Sequence, residues 1–213
     1  MPRFLTATSF ALAFTAIAYA LCGATLGLFL CGLFAGGLLI ALLDDPSHTI
    51  LRRVLFTGCV IDAVAMVWLV SVFLSPITFL QWLQAYAVLV AVAGAVLGMR
   101  LTRLNQAMVA ITWIAWFVAP VATAQAMLHS PMLAGAITRY HPLFALNRIF
   151  IEQGAWTSFD IAYRLLTPLG QDVAYTLPAS VLPCVACHLF IMAAGAVSAW
   201  AVAWARRTAT APC

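Results

Sequence analysis

Cys184, Cys187 and His188 stand in "PCVACHLF" (183–190) at the C-x-x-C-H spacing by which c-type haem is attached. In that chemistry two thiols add to the haem vinyl groups and the neighbouring imidazole ligates the iron. On a helix, positions 184, 187 and 188 share one face, so the three groups converge. With six cysteines and four histidines in the chain, a chance occurrence of the motif is rare, which favours haem. The setting argues against it, because an almost unbroken apolar run extends from Val181 to Ala205, whereas attachment sites usually lie in water-exposed segments. His129 and His141 lie on the same side of the chain, and neither is close in sequence. Zinc would need a fourth ligand. Two readings remain: haem c on Cys184, Cys187 and His188, or a pair of structural membrane cysteines, which behave as small hydrophobes. The structural reading, with no cofactor, is preferred.

Asp62 stands alone in "TGCVIDAVAMVW" (57–68). It is nine residues beyond Arg53, about 14 Å along a helix, hence near mid-bilayer. A carboxylate at that depth costs at least about 2.5–3.5 kcal/mol, so it must face protein or water, or be protonated. Functionally, Asp62 reads as a proton or substrate-path residue. Structurally, it reads as a protonated acid bonded to a neighbouring helix, for example to Thr112. His188 lies about 12 Å below Ser180 by the same rise. Asp62 and His188 would therefore form a transport-path or proton site if their helices adjoin.

The densest charge group is "LLDDPSHTILRR" (42–53), with Asp44, Asp45, Arg52 and Arg53. It reads as a solvated turn or, more sharply, as a docking surface for a cytoplasmic partner. Enzyme signatures are missing: there is no G-x-S-x-G, no H-E-x-x-H and no Gly-rich phosphate loop. All ten basic residues are arginine, which excludes a Walker-type lysine and Schiff-base chemistry. The chain is not expected to be an enzyme by itself. No basic run suggests nucleic acid.

Lipid is the solvent that positions these groups. Of 213 residues, 65% are hydrophobic and 8% charged, and the mean hydropathy is +1.06. A soluble domain carries about 25% charged residues. The expected fold is all-α, a polytopic helical bundle in a single transmembrane domain over 1–213. Since about 20 apolar residues cross a bilayer, six spans are expected, near 4–22, 24–43, 54–74, 80–99, 106–127 and 180–205. The N-terminal run imitates a signal peptide, yet it continues apolar to Leu43 and is read as an uncleaved span turning near Cys22–Gly23. With both termini cytoplasmic, seven of the ten arginines gather inside, as the positive-inside rule requires. The expected location is a bacterial inner (cytoplasmic) membrane. Trp82 and Trp156 then fall at the outer interface, and Trp200 and Trp204 at the inner one.

The outer segment, 128–179, is punctuated by proline. Within it, 142–152 and 158–166 are expected to be short amphipathic helices at, or dipping into, the outer interface. The pairs Gly23/Gly27, Gly32/Gly36 and Gly94/Gly98 let helix backbones approach closely, either within the bundle or between subunits.

This layout resembles that of type-two ABC exporter permeases: six spans, both termini inside, a short charged loop after span two, and outer helices before the last span. The resemblance implies a dimeric permease that passes substrate between its halves. In it, Asp44, Asp45, Arg52 and Arg53 would occupy the coupling position against a separate cytoplasmic ATPase. The alternatives are a haem-bearing subunit of a membrane redox complex and a non-catalytic assembly subunit. A homo- or hetero-oligomer in the lipid bilayer is expected on any of these readings.

Overall fold

The computed structural model describes residues 25–74, 76–102, 104–150 and 177–209. The helices there are α1 (Thr25–Leu43), α2 (Ile50–Leu74), α3 (Phe79–Leu101), α4 (Gln106–Ala122), α5 (Ala124–His129), α6 (Pro131–Tyr140), α7 (Pro142–Phe150) and α8 (Leu182–Ala209). No strand occurs among the described residues. Three helices are long and apolar enough to cross a membrane: α2, α3 and the Leu182–Ala205 part of α8. Shorter apolar stretches fill Gly27–Leu43 and Gln106–Pro120. This build supports an integral membrane protein. The expected span 4–22, the turn at Cys22–Gly23, Trp156 and the expected helix 158–166 lie outside the described residues.

The hub is α3, which touches α1, α2, α4, α7 and α8. A capping box starts it: the Thr78 hydroxyl accepts from the Gln81 N–H, and the Gln81 side chain accepts from the Thr78 N–H at 2.9 Å. Its alanines and glycines then let neighbours come close. A Cβ on Gly98 would lie 2.7 Å from Met192 Cα, and one on Gly195 would fall on the Gly98 carbonyl. The pair Gly94/Gly98 therefore serves contact with α8 inside one chain. Gly32 and Gly36 do the same for α1 against α2, under Trp68, Val64 and Val60. Trp113 of α4 covers Gly37 of α1 and donates its indole N–H to the Phe34 carbonyl at 3.1 Å. Trp82 is half-buried and donates to the Ala65 carbonyl of α2 at 3.3 Å.

Within the span expected over 106–127, α4 runs to Ala122 with Pro120 inside it, where a proline removes one helix bond and crowds the preceding turn, and α5 resumes at Ala124. The helix expected over 142–152 is present over Pro142–Phe150, where this stretch of described residues ends, and it packs into the bundle. Every α7 residue except Arg148 is buried, and α7 wedges against α1 and α3. Phe150 packs on Phe29 with ring centroids 4.5 Å apart, and Phe29 stacks on Trp68 at the same distance. Arg148 is its one exposed residue, so the charge stays on the open side while the rest of the helix packs inward.

Candidate functional site

Three groups of polar residues lie at three levels of the bundle. The first is at the α1–α2 loop, where the predicted docking residues divide. Asp44 and Arg53 are buried, 2% and 7% exposed. Nine residues apart, they meet across the loop because α2 begins at Ile50 and turns Arg53 inward. The Arg53 Nε donates to both carboxylate oxygens (3.0 and 2.9 Å), and one terminal nitrogen donates to Oδ2 at 2.5 Å. Arg100, in the last turn of α3, adds its Nε at 3.6 Å from Oδ2 and donates to the Asp44 backbone carbonyl at 2.5 Å. Arg100 also donates to the Leu104 carbonyl at 2.9 Å, and Gln106, the first residue of α4, donates to the Asp44 carbonyl at 3.3 Å. Such charge-assisted bonds are the strong ones.

Asp44 thus ties together the starts or ends of four helices. Asp44 and Arg53 belong to an internal tie and not to the loop's outer surface. Arg52 is exposed and Asp45 half-buried, with Asp45 Oδ1 accepting from the Ser47 N–H at 2.8 Å. Beside the tie opens a cleft of about 780 Å³, lined by His48, Asn105, Gln106 and Ser198 among others. Arg100 and Gln106 carry no sequence signal for this role. They are found only once the chain ends are brought together.

The second group surrounds Trp116. In a regular helix the Trp116 carbonyl would accept from residue 120, but Pro120 has no N–H. His141 supplies the missing donor: its Nε2–H reaches the Trp116 carbonyl at 2.8 Å. Its Nδ1 accepts from the Leu143 N–H at 3.1 Å, capping α7. These partners assign the neutral ring with the proton on Nε2. Burial pushes His141 down from 6.5 to about 3, against the raising effect of the Trp116 bond and with a small lowering by His188. The sequence signal was present, since a proline in a span orphans a carbonyl that a histidine can satisfy.

His188 and the two cysteines flank this group on α8. His188 and Cys184 are buried, 3% and 1% exposed, and Cys187 is half-buried. The His188 Nδ1–H donates to the Cys184 carbonyl at 2.8 Å, with the Cys184 Sγ 3.7 Å away. The Trp116 ring lies 6.4 Å from the His188 ring, centroid to centroid. A porphyrin bonded to both thiols would need open space beside Cys184, but that thiol is sealed in the core. Neither this end's cleft, about 590 Å³ and lined by Gln84, Arg148 and Ser180, nor the one beside Asp44 is lined by Cys184, Cys187 or His188. The residues as arranged do not fit a covalently attached haem. Among the described residues no three His, Cys, Asp or Glu side chains gather to hold a metal.

The third group is Asp62 alone. It is the middle residue of α2 and is exposed on the outside of the chain. The structure does not bring it to His188: α2 and α8 are not packed as neighbours, each meeting α3 instead. Thr112 is likewise exposed on α4, and no bond to Asp62 forms. What the site offers chemically is therefore a buried charge tie, a neutral histidine lock beside a buried thiol–imidazole contact, and one outward-facing carboxylate. No protein-family model matches the chain, and neither a curated protein nor a solved structure does.

Proposed function

We propose that the protein is the permease subunit of a transporter that works with a separate cytoplasmic ATPase. In this reading six spans cross a bacterial inner membrane, both termini are cytoplasmic, and the Asp44 end faces the cytoplasm. The observation that carries it is the tie at Asp44. A loop that receives force from an ATPase must pass it to the spans without bending. Here the α1–α2 loop is fastened to the start of α2 through Arg53, to the end of α3 through Arg100, and to the start of α4 through Gln106. α3 in turn is seamed to α8 through Gly98 and Gly195, so displacement of the loop moves four helices together. Substrate then passes between this subunit and another half.

Arg52 is the residue with which to test the reading, since it is exposed on the loop while Arg53 is committed internally. Reversing Arg52 to Glu sets like charge against an acidic partner surface and weakens association without disturbing the tie. The expected result is loss of a co-purifying ATPase and of ATP-driven transport, with unfolding behaviour unchanged. Purification from native membranes with no ATP-hydrolysing partner, or an Arg52→Glu chain that keeps its partner and its activity, defeats the proposal.

A further inference from the structure

Asp62 is the one charged residue between Arg53 and Arg100, and it lies about 18 Å from either end of α2. The helix has two unlike faces. Val60, Val64 and Trp68 are buried against α1 and the core, whereas Leu51, Leu55, Met66, Val70 and Phe73 are exposed together with Asp62. The carboxylate therefore stands in the middle of an apolar stripe that the described residues leave uncovered. It makes no hydrogen bond or ion pair among the described residues. One turn before it, a side chain at Gly58 would meet nothing within 4 Å. That is a notch in the stripe where another helix backbone can approach closely.

A carboxylate at this depth needs a donor from whatever covers it, because lipid tails offer none. A second copy of this chain is a poor source. Its arginines fall at 3, 52, 53, 100, 103, 139, 148, 164, 206 and 207, and it has no lysine, so none comes within the middle of a described span. His188, the one histidine inside a described spanning helix, sits in its second turn and is buried against its own core. Two copies meeting through α2 would set carboxylate against carboxylate.

We infer that the exposed face of α2, centred on Asp62 and Gly58, docks a membrane-spanning helix of a different protein, one that carries a lysine, arginine or histidine near mid-span. The contact is a buried ion pair within an apolar helix interface, and it specifies partner and register, because any other register leaves both charges unpaired. The inference stands whether or not the assembly transports anything.

A photo-reactive phenylalanine analogue at Met66, in the full chain expressed in its native membrane, tests this directly, with the same probe at Val197 of α8 as the control. The expected adduct joins Met66, and not Val197, to a spanning segment of another protein with a basic residue in its central third. Asp62→Asn lowers the yield at least about tenfold at unchanged chain abundance, Asp62→Glu retains it, and Asp62→Arg paired with an acidic residue in place of the partner's cation restores it. Adducts to lipid alone, to α2 of a second copy, to residues 4–22 of the same chain, or to a helix without a basic residue each overturn the inference. So does an Asp62→Asn chain that cross-links as well as the parent. Because none of these readouts involves ATP or Arg52, the result is separate from that of the ATPase test.

Discussion

Replacing Asp44 by Asn keeps the size of the side chain and removes its charge. The carboxylate now takes three bonds from Arg53 and lies 3.6 Å from the Arg100 Nε. All three side chains are 8% exposed or less. An ion pair near 4 Å is worth about 4 kcal/mol at an effective dielectric of about 20. Breaking a buried pair by removing one partner costs about 3–5 kcal/mol, because the other charge stays buried. Here two guanidiniums would remain, each repelling the other, so the upper part of that range is expected.

Urea or mixed-micelle unfolding followed by tryptophan fluorescence measures the loss in Asp44→Asn. The cycle is completed by Arg53→Met alone and by the double variant. Removing both charges together is expected to recover most of the loss, leaving a coupling of about 2–3 kcal/mol between Asp44 and Arg53. Arg100 keeps its two backbone carbonyls in every variant. A single-variant cost below about 1 kcal/mol, in the range of an exposed pair, or simple additivity in the cycle would refute the argument that this is an internal tie.

Gly195→Ala drives a methyl into the Gly98 carbonyl and is expected to destabilise by about 1–3 kcal/mol as overpacking. By contrast, Gly58→Ala meets nothing and should stabilise the isolated chain by about 0.5–1 kcal/mol through helix propensity; equal effects at both sites would contradict the helix contacts described. His141, held at about 3 when folded against 6.5 when free, stabilises the fold above pH 6.5. That contribution is lost as the pH falls towards 3, by up to about 1.4 kcal/mol per unit. Unfolding from pH 8 to 4 should therefore show a steeper acid slope in the parent than in His141→Gln, and parallel slopes would mean the ring is not buried neutral.

Run length in the sequence located four of the observed apolar helices within a few residues, because lipid demands about 20 apolar residues and loops do not. The same pattern cannot say what a helix packs against. Asp44 and Arg53 looked like loop surface because a charge facing water and a charge facing its partner are written identically. Only the folding of α3's end beneath the loop, with Arg100, makes the difference. α7 shows the same limit. Arg148 and its neighbours at four-residue spacing suggested a two-faced helix, yet Leu143, Phe144, Leu146 and Phe150 bury on several sides. Asp62 stands out in the sequence as an acid within an apolar run, but its direction of facing is set by which α2 side chains fill the core, and a single apolar run conceals that.

The bond between His141 and Trp116 spans 25 residues, and that separation bears on how the chain enters the membrane. Synthesis delivers α4 first, with the Trp116 carbonyl left open by Pro120 in a medium without water. An unsatisfied backbone group there costs several kcal/mol. Its donor arrives only when residue 141 has been made and the segment from α5 to α7 has folded back. On the proposed six-span reading, the α4 segment is a poor membrane guest until that donor arrives, so a nascent chain halted before His141 is expected to leave α4 accessible to the insertion machinery.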